Sequence, residues 1–213
     1  MNRVKLQFSE EETALVSDPA IILTKNRILG KLSEMLGSLS EVQREQAESY
    51  RHSLPSAFFE QAPKISRGDN YQGLPWLMLD FPRCFTPGKT LAIRQFFWWG
   101  RFFSSTLLVS GPLKASVLAQ LESGFPVKKE AATDQQDLYI CVHASPWEHH
   151  FQEDNFKLVR EISNEDLAAI GQREFLKLAY WSPIGDWAMV PDFFNQSFLR
   201  WMQLLVRANT PEG

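Results

Sequence analysis

The stretch TLAIRQFFWW, residues 90–99, constrains the fold of this chain more than any other segment. Successive residues of a strand point to opposite sides of a sheet. One side of this stretch carries Leu91, Ile93, Gln95, Phe97 and Trp99, and the other carries Ala92, Arg94, Phe96 and Trp98. Both sides are apolar, so the strand must lie inside a sheet and be covered twice, by helices on one face and by a second layer or a ligand cavity on the other. The chain can supply that cover. Its 213 residues are 44% hydrophobic and 13% aromatic with only 22% charged, a composition that excludes disorder.

The neighbouring pattern defines the rest of the sheet. Further strands are expected over residues 74–81, 102–110, 137–143, 156–162 and 174–181. The connections FPRCFTPGK and Gly100-Arg101 are too short for a crossover helix, so the first three strands form an antiparallel meander. Residues 63–75, PKISRGDNYQGLP, read as a polar loop between two prolines.

Helices flank these runs. Asp18-Pro19 has the form of an N-cap followed by Pro at the first helical position, and Ile22, Leu29, Leu32, Met35, Leu36, Leu39 and Val42 recur at intervals of three and four or their sums. This spacing predicts an amphipathic helix from Pro19 to about Arg51, with Gly30 and Gly37 as its weak points. Shorter helices are expected over 113–123 and, capped by Ser163, over 164–171, and a last one runs from Pro191 to about Arg207. The expected fold is α+β. A mainly antiparallel sheet of about six strands packs with a long N-terminal helix, a middle helix and a C-terminal helix in one domain over 1–213, helical in 1–54 and sheet-centred in 55–213.

The N-terminal sequence MNRVKLQFSEEE places three acids where a signal peptide needs an apolar stretch, and no apolar run reaches the roughly 20 residues of a spanning helix. Cys84 and Cys141 stand apart, in no CxxC or Cys/His cluster, and read as two buried thiols. A cytoplasmic protein with no membrane association is the expectation. The net charge of −3 hides an asymmetry: residues 64–114 carry seven cations against two acids, and residues 115–170 carry ten acids against four cations. The aromatic and basic run FFWWGRFF has the residue types of a single-strand nucleic-acid platform, but the acidic overall balance argues against nucleic acid, and core packing accounts for the rings.

The residue types that carry chemistry point to a binding site. Arg67, Asp69, Asn70 and Tyr71 crowd the 63–75 segment, where Gly68 and Gly73 would let the backbone approach a ligand. Arg94 alternates with apolar residues on a strand covered on both faces and needs a partner. Asp80 on the preceding strand is one. The alternative is an anion held by Arg67, Arg83 and Arg94 against a wall that includes Trp98. A binding module for a small anionic or aromatic ligand is therefore the leading reading, with Arg67, Asp69, Asn70, Tyr71, Arg83, Arg94 and Trp98 as candidate ligand-binding residues. An interaction or structural domain that docks or forms a homo-oligomer through the N-terminal helix is the second. A metal-dependent enzyme using His143 and His149, with Glu153 as a further ligand, is the third, and its spacing matches no established metal motif. No GxSxG, GxGxxG or GxxxxGK[ST] occurs, so neither a catalytic residue nor a cofactor is assigned.

Overall fold

A computed structural model describes residues 6–124 and 137–209. The part of the acidic stretch that falls in residues 125–136 lies outside them. The architecture is α+β, with a sheet of seven strands rather than about six. The strands are β1 (Lys64–Tyr71), β2 (Leu74–Thr86), β3 (Lys89–Trp98), β4 (Phe102–Ser110), β5 (Tyr139–Cys141), β6 (Phe156–Leu158) and β7 (Phe175–Pro183). Every pairing is antiparallel, in the order β1-β2-β3-β4-β7-β5-β6, so β3 is interior as its two apolar sides require.

The additional strand is β1, in the segment expected to be a loop. Its residues are polar because it is an edge strand with half-exposed side chains, a position where hydrogen bonding to β2 rather than burial holds the chain. Gly68 is required within it. A Cβ built there would stand 2.5 Å from the indole of Trp76, its cross-strand partner, so the ring packs over bare backbone. Strands β5 and β6 are shorter than expected, and the chain after Leu158 turns through a single 3-10 turn, Val159–Glu161, instead of continuing extended.

Among the described residues five α-helices accompany the sheet: α1 (Glu10–Ser17), α2 (Pro19–Glu48), α3 (Pro112–Glu122), α4 (Asn164–Gly171) and α5 (Val190–Asn209). Helix α1 was not expected from periodicity; a capping box between Ser9 and Glu12 starts it. The side chain of Asp18 caps α2 through the Ala20 N–H, with Pro19 at the first position, and Gly30 and Gly37 do not interrupt the helix.

Among the described residues, helices cover one sheet face. Leu29, Leu32, Leu36 and Leu39 of α2 pack on Leu77, Leu79, Phe97 and Phe103, and Phe198, Trp201, Met202 and Leu205 of α5 join Ile93, Leu107, Val109 and Leu178 in the main core. The two polar side chains buried in the middle of this face find partners on α5: Trp201 Nε1 donates to Ser105 Oγ (3.0 Å), and Gln95 Nε2 donates to the Phe194 carbonyl (3.3 Å). The opposite face is covered by the connection between β5 and β6, residues 142–155, which has no regular secondary structure. That connection is the second layer called for by the apolar second side of β3, and it carries all three histidines of the HASPWEHH run.

Candidate functional site

The register decides which charged residues meet. Arg94 stands opposite Asp80, and its Nε donates to Asp80 Oδ1 at 2.7 Å with Nη2 3.5 Å from the second oxygen. The guanidinium also lies over Phe85 and Trp147, 5.5 and 5.4 Å from their ring centroids. Arg67 stands opposite Leu77, a residue of the helix-covered face, whereas Arg94 and Asp80 belong to the other face. These two arginines therefore point to opposite sides of the sheet. Arg83 is turned to the chain before β1, donating from Nε to the Ala62 carbonyl at 2.7 Å. The three-arginine convergence is not formed, because two of its members occupy strand positions of opposite parity and the third is engaged elsewhere.

The remaining candidates separate in the same way. Asp69 pairs with Lys25 of α2 at 3.1 Å, tying the edge strand to the helix. Asn70 Oδ1 accepts the Gly73 N–H at 3.1 Å and shapes the β1–β2 turn. Tyr71 and Trp98 do come together. Their rings are 4.9 Å apart, and Trp98 Nε1 donates to the Tyr71 carbonyl at 3.1 Å. The Tyr71 hydroxyl donates to Glu148 (3.0 Å) and accepts the His149 N–H (2.8 Å), so it pins the covering connection to the sheet.

Beside this pair opens a cleft of about 440 Å³, at the end of the sheet where β3 turns into β4. The sheet supplies Trp98, Phe102, Tyr139 and Trp181, the turns supply Gln72, Gly100 and Arg101, and the covering connection supplies His150, Phe151 and Gln152. The rings form one contiguous wall. Phe102 lies 5.4 Å from Trp98 and 5.1 Å from Phe151, which is 5.3 Å from Tyr139, and Trp181 Nε1 donates to the Tyr139 hydroxyl at 3.0 Å. Two polar groups in the lining lack full partners. Arg101 has no carboxylate partner among the described residues and rests 5.4 Å over the Trp98 ring. His150 Nδ1 is buried with no hydrogen-bond partner among the described residues, 3.7 Å from Glu148, while Nε2 stands 3.3 Å from Asp154. The run FFWWGRFF draws attention to Trp98, Arg101 and Phe102 as residue types, but the wall they form with Tyr139, Phe151 and Trp181 joins four separate segments of the chain, and no local pattern marks that meeting.

A second polar group under the connection was also missed. Lys177 of β7 is 1% exposed, and its ammonium donates to the carbonyls of Pro146 (3.0 Å) and Glu148. Burial pushes its pKa down to about 8. Like Arg94, it interrupts an otherwise apolar strand side, Phe175, Ala179 and Trp181, and that interruption was its sequence signal. Burial also raises the Cys141 thiol and holds His149 well below the usual imidazole range, with the Lys177 and Arg94 charges acting on His149 in the same direction. The His149 ring stacks on Phe96 with centroids 4.7 Å apart. His143 instead accepts the Ser145 N–H at 3.0 Å. Among the described residues no group of three His, Cys, Asp or Glu side chains is arranged to hold a metal, and no helix is long and apolar enough to cross a membrane. Both cysteines are buried and free.

In comparisons with known proteins, no family model, curated protein or solved structure matches this chain.

Proposed function

We propose that the protein is a binding module for a small molecule that is both aromatic and anionic, taken into the cleft between the β3–β4 turn and the covering connection. The observation that carries this reading is the combination of a continuous ring wall with a single guanidinium, Arg101, that no carboxylate of the described chain neutralises. A planar ligand gains contact area and quadrupole attraction from such rings, and a carboxylate or phosphate gains a two-point hydrogen bond from the guanidinium fork. The volume of about 440 Å³ falls in the range of small-molecule sites. Gln72, Gln152 and the unpartnered nitrogen of His150 offer further hydrogen bonds for orientation. Of the residues singled out in the sequence, Trp98 belongs to this site and Tyr71 supports it; Arg94 contributes through the anchored layer above the sheet.

The test is a thermal-shift and calorimetric screen with aryl carboxylates, indole carboxylates, their neutral amides and inorganic phosphate. The expected result is that an aromatic acid raises the melting temperature, that its amide does so at least tenfold more weakly in concentration, and that Arg101→Gln abolishes the effect with the ligand-free melting point unchanged. Stabilisation that persists in Arg101→Gln, or equal stabilisation by the amides, would remove the basis of the reading.

A further inference from the structure

Helix α1 and the first turns of α2 stand apart from the rest of the molecule in one respect. Every residue from 6 to 24 is exposed, although this stretch is helical from Glu10 onward and includes Leu15 (50% exposed), Val16 (71%), Ile22 (55%) and Leu23 (62%). Helix α1 has eight residues and buries none of them. An isolated helix of that length is marginal in water, and a capping box adds only part of what is missing. So many large aliphatic side chains left exposed within one short stretch offer apolar area to a contact.

Farther along, α2 and the start of α5 enclose an apolar groove of about 440 Å³, lined by Ile28, Leu32, Met35, Trp187 and Val190, with Lys31 among its lining residues. Lys31 is four residues from Arg27, so the two cations are neighbours on the helix surface, an arrangement that is unfavourable unless an acidic group lies across from it. Neither has a carboxylate partner among the described residues. The α1 helix begins Glu10-Glu11-Glu12, and Glu10 and Glu11 likewise make no ion pair among the described residues. The arm therefore carries aliphatic side chains beside unpaired acids, and the groove carries an aliphatic floor beside Lys31, with Arg27 one helical turn away on α2.

We infer that the partner of this groove is a second copy of the chain: α1 and the first turn of α2 of each protomer seat in the α2–α5 groove of the other, giving a twofold homodimer by exchange of arms. Both halves of the contact reside on one chain, as a closed twofold interface requires. Arm and groove lie away from the aromatic cleft, so this inference does not depend on the binding function proposed above.

The experiment uses two charge-reversed full-length variants. Glu10→Lys with Glu11→Lys makes the arm basic and spares Glu12 of the capping box; Arg27→Glu with Lys31→Glu makes the groove acidic. Sedimentation velocity across roughly 1–100 µM is expected to show a dimer for the wild type and at least a tenfold weaker dimer for each variant alone. A 1:1 mixture is expected to recover wild-type affinity, because the basic arm then meets the acidic groove at one contact and the native acidic arm meets the native basic groove at the other. Circular dichroism should show both variants folded, since every substituted side chain is on the surface. A wild type that remains monomeric at 100 µM overturns the inference, as does a dimer that neither reversal weakens or a mixture that does not recover.

Discussion

Removing one partner of the Arg94–Asp80 pair should be costly, whereas replacing both partners by apolar groups should not. The side chains are 14% and 8% exposed and joined at 2.7 Å. Arg94→Met keeps the length of the side chain but strips the buried Asp80 carboxyl of its ion-pair partner, Lys64 standing opposite it on β1 without pairing, which typically costs about 3–5 kcal/mol. A loss of that size lowers the melting temperature by about 6–20 °C for a chain of this length. Asp80→Leu combined with Arg94→Met replaces the pair by packed apolar groups and should recover most of the pH 7 loss. Urea unfolding of the four proteins at pH 7 reads both expectations. A loss below about 1 kcal/mol at pH 7, or a double variant as unstable as the sum of the singles, would refute the view that this pair is a buried, mutually dependent unit.

Lys177 predicts an alkaline effect. Its native pKa of about 8 lies below the ordinary 10.5, so between those values the unfolded chain holds a proton that the native protein has released, and the contribution to stability rises with pH across that window. The stability difference between wild type and Lys177→Met should grow by up to about 3 kcal/mol from pH 8 to 10.5; a flat difference in urea midpoints would mean that the amine titrates normally. Burial raises the hydroxyls of Tyr71 and Tyr180, which pulls stability the other way at high pH but is common to both proteins; Cys141 feels the Lys177 charge and does not cancel, so the comparison is made in a Cys141→Ala background. At Gly68, substitution by Ala forces the Trp76 indole off the edge strand and should lower stability by about 1–3 kcal/mol; an unchanged melting curve would show that the ring swings aside freely.

The class of fold was legible in the sequence because the properties that mark it are local. The two apolar sides of residues 90–99 require an interior strand, the short links around it require antiparallel neighbours, and Asp18-Pro19 with leucines at three and four requires α2. The Arg94–Asp80 pairing was also within reach, since an arginine on a covered strand needs a carboxylate and the adjacent hairpin holds one. Strand β1 was not, because an edge strand is held by backbone hydrogen bonds that leave its side chains free to be polar, and polar side chains around Gly read as a loop. Which arginines share a face depended on strand register, and a shift of one residue sends a side chain to the other side of the sheet. The aromatic cleft depended on tertiary structure alone. Its walls come from the β1–β2 and β3–β4 turns, four strands and an irregular connection whose path is set by Lys177, Tyr71 and Asn155 hydrogen bonds rather than by any periodicity of its own. Periodicity reports which side of an element is buried; it carries no information on which distant elements meet there, and that is decided only when the whole core packs.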